Sequence, residues 1–175
     1  MKINKVIRRF LIPSFIVSIY YLFKFGCYIS TKAEVECNRK LIIGPRTSIS
    51  SFTKIKVTDG KLHIGSDVSI GTGCNISASI GEIVIGDDCL ISPHVQILSS
   101  NYIYEKIDVP FRLQGYTSKG VTIGNNVWIG AGACILDGST IEDGSIITPN
   151  SVVSSHIPGN SIVQGNPGKV IFVRR

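Results

Sequence analysis

From Val121 to Val153 a β-branched residue returns at every sixth position: Ile123, Ile129, Ile135, Ile141, Ile147 and Val153. A helix repeats near 3.6 residues and a strand every two, so a period of six marks a stacked-repeat architecture. The same phase runs upstream in three trios: Ile43, Ile49, Ile55; Ile64, Ile70, Ile76; and Ile85, Ile91, Ile97. Successive trios start at Ile43, Ile64 and Ile85, so each unit is three hexads plus three spare positions. Two positions before the key residue the chain places small or apolar side chains, among them Leu62, Val68, Cys74, Val121, Val127, Ala133 and Ser139. Residues two apart share one face of a strand, so each hexad predicts a short strand with two inward side chains, then a turn. Glycine often follows the key Ile and Asp or Asn comes next, as in "IGDD" and "IGNN". These residues tolerate the backbone angles of a tight corner. Three strands and three corners close one triangular coil, and stacked coils pair their strands in parallel around a column of Ile and Val.

One interval breaks the phase. Between Ile97 and Ile123 runs a long segment, Leu98 to Gly120, that holds three Tyr, one Phe and one Arg. An excursion of that length from a regular solenoid predicts a functional loop. Ahead of the repeats, Phe10 to Phe23 is an uncharged stretch between Arg8, Arg9 and Lys24. It is shorter than the roughly 20 residues a membrane-crossing helix needs, and it lacks a small-residue cleavage site. Pro13 suits the first turn of a helix. Two readings fit: a helix packed on the core or a neighbouring subunit, and an in-plane membrane anchor with basic residues at headgroup level. The chain therefore divides into an apolar helical segment over 1–30, a repeat prism over 41–165 carrying the loop 98–120, and a basic tail over 166–175.

Composition narrows this picture. Charged residues are only 17% and Gly numbers 18, which favours an all-β, turn-rich chain. The net charge of +6 is concentrated at the two ends, in Lys2, Lys5, Arg8 and Arg9 and in Lys169, Arg174 and Arg175. That suits an anionic ligand, a phosphate-bearing cofactor or a membrane surface. No interleaving of aromatic and basic residues points to nucleic acid. Five Cys without a C-x-x-C pair suggest neither a disulfide framework nor zinc, and fit reduced thiols in a cytoplasmic protein.

The hexads from about residue 41 onward closely resemble the left-handed parallel β-helix of the hexapeptide-repeat acyltransferases. "NNVWIGAG" (Asn125 to Gly132) is similar to the coil of that family that presents a Trp, here Trp128, to the active site. "QGNPGKVI" (Gln164 to Ile171) is similar to the closing Gly-Asn-Pro-Ala-Lys-Val-Ile segment, with Gly168 in place of Ala. The C-terminal half most resembles the branch that acylates sugars in surface-polysaccharide synthesis. The resemblance implies an all-β left-handed prism, a homotrimer with clefts between subunits, acetyl-CoA as acyl donor, no metal, and a sugar or glycan acceptor. It also implies a cytoplasmic site, with peripheral membrane association through residues 10–23 at the inner face as an option.

The chemistry requires a base for the acceptor's proton and a donor for the oxyanion. In the family a catalytic His follows "S-x-N" or "T-x-G" at the start of the loop; here "SSNY" puts Tyr102 in that place. A free Tyr ionises near pH 10 and is a poor base at neutrality. Three roles are open. Tyr102 shapes the acceptor pocket while His94 of "SPHVQI" is the base; or Tyr102 acts itself, as base or proton donor; or the prism binds sugar without transferring acyl groups. Trp128, one position before inward Ile129, should face outward and stack on substrate. Asn75, Asn101, Tyr104 and Arg112 are the implied acceptor contacts. Gly130, Ala131, Pro149 and Ser154 are the implied groove for the pantetheine arm, Pro149 standing where Ala or Gly is usual. Lys169 and Arg174 are implied partners of the CoA phosphates. His63 and His156 read as a solvated strand residue and a C-terminal turn residue; with His94 they lie on scattered coils, unlike converging zinc ligands.

Overall fold

The structure is a computed structural model that describes residues 13–175. Lys2, Lys5, Arg8, Arg9 and the start of the apolar segment lie outside the described residues. Among the described residues the chain winds into a three-faced prism whose sheets have eight, six and six strands, here faces A, B and C. One turn of the winding runs Leu90–Ile91 on face A, Gln96–Leu98 on face B and Val121–Ile123 on face C.

Register explains why the hexad period matters. On face C, Ile43, Ile64, Ile85, Ile123, Ile141 and Ile157 stand directly above one another. On face B the column is Val35, Ile55, Ile76, Ile97, Ile135 and Val153. On face A it runs from Ile29 and Ile49 through Ile70, Ile91, Ile129 and Ile147 to Val163. Every one of these side chains is buried. The second inward position of a hexad takes apolar residues or small hydroxyls, the latter because nearby corners supply acceptors. Thr47 Oγ1 donates to Gly65 O at 2.7 Å, Ser145 Oγ to Pro158 O at 3.0 Å and Ser139 Oγ to Leu136 O at 2.6 Å. A satisfied hydroxyl carries little burial cost. Cys74 and Cys89 fill the same kind of slot, and burial pushes both thiols up. The corner glycines stack as well: a Cβ on Gly44 would lie 2.5 Å from the Gly65 carbonyl carbon.

The winding starts earlier than the hexads suggest, at Tyr28–Ile29, with Ile29 below Ile49 and Val35 below Ile55. The phase is hidden there because Val35 and Ile43 are eight positions apart instead of six. At the far end the step from Val153 to Ile157 is four positions, yet Ile157 still stands on Ile141, so the corner absorbs the deficit. Residues 166–175, read above as a tail, turn back and add the strand Lys169–Val173 antiparallel to Ser161–Gln164. This strand ends face A.

Helix α1 (Ser14–Phe25) closes the N-terminal end. It starts after Pro13 and stops at Gly26, whose left-handed φ of 65° lets its N–H donate to Leu22 O. Val17, Ser18 and Tyr21 are buried against the first coil, while Phe15, Ile16, Ile19, Leu22 and Phe23 remain exposed. Both readings of the segment thus retain support, since one side packs and the other does not. No helix among the described residues is long and apolar enough to cross a membrane.

The excursion leaves from the corner between faces B and C, where the earlier coils carry their three spare positions. Its first foot is Ser99, which is buried and donates from Oγ to Gly81 O at 3.0 Å. Its second foot is tied twice: Ser118 Oγ donates to Ser99 O at 2.6 Å, and the Asp137 carboxylate accepts the N–H groups of Lys119 and Gly120 at 2.8 Å each. Asn101–Tyr102 pairs antiparallel with Tyr116–Thr117. Beyond them lies a one-turn helix, α2 (Phe111–Gln114). Gln114 Nε2 donates to Lys106 O and Val109 O, and its Oε1 accepts from Lys106 N, so the loop holds its own shape.

Two outcomes follow from these contacts. Ile123→Ala, in the middle of the face C column, should lower unfolding free energy by about 2–5 kcal/mol in a denaturant titration, because the stacked coils cannot collapse onto the void. Asp137→Ala should leave the column amides as protected as before, while amides at 101–120 exchange at least about tenfold faster, a sub-global opening.

Candidate active site at the corner between faces A and B

Many corners of the prism turn on one residue with left-handed φ. At the corner between faces A and B that position is filled by Phe52 (φ 62°), Gly73 (71°), His94 (61°), Gly132 (70°) and Asn150 (60°) in successive coils. His94 owes its backbone angle to this column and not to local strain. Its N–H donates to Thr72 O at 2.9 Å, and its ring lies against the Cα of Gly73, where a Cβ would sit 2.6 Å from Nδ1. Gly73 is therefore what gives the imidazole its place. The ring is exposed and makes no hydrogen bond among the described residues.

Two residues back along the same turn, Ser92 Oγ accepts from Trp128 Nε1 at 3.2 Å. Trp128 sits on face A, outward as expected and 47% exposed, between Leu90 and Ile146 in register. The indole is thus pinned at one edge beside the corner that carries His94. Nothing in the sequence singled out Ser92. The next two coils bring Gly130, Ala131 and Pro149 to this corner. They stack closely: a Cβ on Gly130 would lie 2.5 Å from Pro149 N, Gly132 N donates to Pro93 O at 3.0 Å, and Asn150 N to Ala131 O at 2.9 Å. Gly130 is buried, with its N–H donating to Ile147 O at 2.7 Å and its carbonyl accepting from Ala133 N at 3.2 Å, while Ala131 and Pro149 are exposed at the corner. Lys169 pairs with Gln164 at the adjoining end of the last face A strand.

The other expected site residues lie elsewhere within one chain. Tyr102 is on the loop at the corner between faces B and C, with its ring 4.6 Å from Tyr116 and its hydroxyl accepting from Tyr116 Oη at 3.3 Å. The Tyr102 hydroxyl in turn holds the pKa of Tyr116 above the usual phenol range. Tyr116 pairs with Tyr102 across 14 residues, a partnership the linear sequence did not suggest. Asn101 spends Oδ1 on Tyr102 N at 2.9 Å, and Tyr104 and Arg112 are exposed on the same loop. Ser154 is on the same B–C corner in a later coil, not with Gly130. Asn75 lies on the outer side of face B and donates to Gln96 Oε1 at 3.0 Å. Arg174 reaches the third corner, where Nη1 donates to Gly144 O at 2.9 Å.

His63 is exposed on face C. His156 is on a face C strand rather than in a turn, and it meets Glu142 Oε1 at 2.8 Å. That contact and the Gly159 N–H hold the Glu142 carboxyl below its usual range. Among the described residues no three His, Cys, Asp or Glu converge as metal ligands.

Comparison with known proteins places this geometry. Residues 120–155 match the family model described as bacterial transferase hexapeptide (six repeats). Over 82 residues the chain is 41% identical to a Saccharomyces cerevisiae protein named "Putative acetyltransferase"; the match covers 46% of this chain and 40% of that one. The chain thus spans less than half the length of this curated relative. Among solved structures, AntD, an N-acyltransferase from Bacillus cereus in complex with dTDP and 3-hydroxybutyryl-CoA, superposes with a TM-score of 0.76 at 22% identity, over 86% of this chain and 81% of that chain. The acetyltransferase domain of PglB from Neisseria gonorrhoeae, in complex with acetyl coenzyme A, superposes with a TM-score of 0.63 at 22% identity, over 85% and 58%. The stacked hexads, their register and these matches lead to one statement: residues 120–155 carry the bacterial transferase hexapeptide repeat, and the chain folds as a left-handed parallel β-helix.

Proposed function

We propose that the protein is a CoA-dependent acyltransferase that acetylates a hydroxyl or amine on a sugar of a surface polysaccharide or its precursor. The observation that carries the reading is the meeting of His94, Trp128, Gly130, Ala131 and Pro149 at one corner. His94 is the general base: its exposed ring takes the acceptor's proton as the oxygen or nitrogen attacks the thioester carbonyl. It then returns that proton to the departing CoA sulfur, so the imidazole ends unchanged. Trp128, fixed by Ser92, offers an aromatic face for the sugar ring. Ala131 and Pro149, exposed above buried Gly130, present a low surface for the pantetheine arm, and Lys169 is the cation at the end of that surface. The solved neighbours that bind CoA or acetyl-CoA and a dTDP ligand lend weight to donor and acceptor class.

In this reading Tyr102, Asn101, Tyr104 and Arg112 act on the neighbouring subunit of a homotrimer. Support comes from apolar side chains that one chain leaves uncovered: Ile107 at the loop tip is 97% exposed, and on face A an outward row runs in register from Leu90 through Trp128, Ile146 and Ile162 to Phe172. A contiguous exposed apolar surface marks a place where another molecule sits. The chain attaches peripherally to the inner face of the membrane through residues 10–23. A sugar-binding prism without catalysis is the second reading. It is favoured by Tyr102, whose hydroxyl is engaged by another tyrosine and not by a base.

Calorimetry with acetyl-CoA and a coupled thiol-release assay on sugar nucleotides and glycans separate the two. His94→Ala should lower kcat/KM about 10²–10⁴-fold with the thermal melt unchanged, whereas Tyr102→Phe should change it less than about threefold, a loss smaller than any general base leaves. Acetyl-CoA binding with no thiol release on any acceptor would favour the non-catalytic prism. Trp128→Ala should raise the acceptor KM and leave the acetyl-CoA affinity in place, as loss of a stacking surface does.

A further inference from the structure

Residues 1–33 hold six of the 18 Lys and Arg and none of the 12 Asp and Glu, so the remaining chain is balanced at 12 of each. The segment that contains α1 thus carries six positive charges and no negative one. Between α1 and the first coil lies a crevice of about 400 Å³, lined by Tyr20, Tyr21, Lys24, Phe25, Asn38 and Arg39 among others. It stands at the N-terminal end of the prism, coils away from His94 and Trp128.

The crevice has an aromatic wall and a cationic rim. Tyr20 meets Tyr21 edge-on at 5.4 Å, and Tyr21 stacks on Phe25 at 5.5 Å. Lys24 Nζ donates to Tyr20 Oη at 2.6 Å and rides 5.0 Å from the ring centroids of both Tyr20 and Phe25. Those contacts hold the ammonium at the rim and leave its charge uncompensated. Neither Lys24 nor Arg39 has an acidic partner among the described residues, whereas Arg46 is paired with Asp67 and Lys54 with Glu34. Beside the crevice α1 exposes Phe15, Ile16, Ile19, Leu22 and Phe23, the last at 85%. Two unpaired cations next to an apolar helix side match the layering of a lipid surface, phosphate above and acyl chains below. A guanidinium suits a phosphate diester, which it meets with two parallel donors.

We infer that the crevice between α1 and the first coil is a headgroup site for an anionic phospholipid, with Lys24 and Arg39 on the phosphate and Phe15, Ile19, Leu22 and Phe23 among the acyl chains. This rests on the peripheral attachment proposed above and assigns its chemistry. The lipid then anchors the prism by the end opposite its last coils, and the catalytic corner stands away from the bilayer toward soluble acyl donor.

The test is flotation of the full chain with vesicles of phosphatidylcholine alone or mixed with phosphatidylglycerol. The wild type should float with the mixed vesicles and release as salt rises. Lys24→Ala with Arg39→Ala should lower that partition by roughly 25-fold, about fivefold per charge. Lys56→Ala with Lys61→Ala, the same charge removed from the prism, should leave it within about twofold. Both pairs are surface changes, and matching thermal melts verify folding. Equal loss in the two pairs means diffuse attraction and overturns the site. Full binding by the Lys24/Arg39 pair, with loss on Phe23→Ser, also overturns the site while membrane attachment stands. No flotation of the wild type overturns attachment and the site together. Saturable calorimetric binding of glycerol phosphate without flotation would make the crevice a free-phosphate site and overturn the lipid assignment.

Discussion

The structure depends on one constraint: each coil must place its branched side chains on those of the coil below without losing parallel register. A column such as Ile64, Ile85, Ile123 and Ile141 buries one large apolar group per face per turn. Because each coil contacts only its neighbours, the stability is close to a sum of such steps. The corners follow from the same demand. They take glycine where one backbone lies on the next, and a left-handed residue where the chain must turn. That is why His94 and Asn150 adopt angles that elsewhere suggest strain.

The constraint also dictates where variation is allowed. Extra residues leave at a corner, because a strand cannot lengthen without moving its inward side chains. The early coils put three spare positions at the corner between faces B and C, and the long loop grows from that same place. Its feet, Ser99 with Ser118 and Asp137 with Lys119 and Gly120, restore the phase so that Val121 lands on Ile83. The loop is free to carry Tyr102 and exposed apolar residues outward because the prism closes beneath it.

Chemistry and charge are sorted along this rod. The corner between faces A and B gathers His94, Gly130, Ala131 and Pro149, with Trp128 beside it. The N-terminal end gathers uncompensated positive charge and an uncovered apolar helix side. The last strand, running back along face A, carries Lys169 to one corner and Arg174 to another, so the two basic residues serve different surroundings.

The sequence by itself determined the inward set. Burial is a property each position declares through its side chain and its phase, so Ile43 to Val153 were legible one by one, and so was the loop. The early turn at Tyr28 was not, because the wider spacing from Val35 to Ile43 masks the period. Only the tertiary structure decided who meets whom on the outside. Ser92 under Trp128, Glu142 with His156, and Tyr116 with Tyr102 are 36, 14 and 14 residues apart. It likewise separated Ser154 and Arg174 from the corner that holds Gly130 and Ala131, and it docked α1 so that Lys24 and Arg39 share a crevice. Outward residues acquire their roles from neighbours in other coils, and those neighbours exist only once register, corners and docked helix are in place.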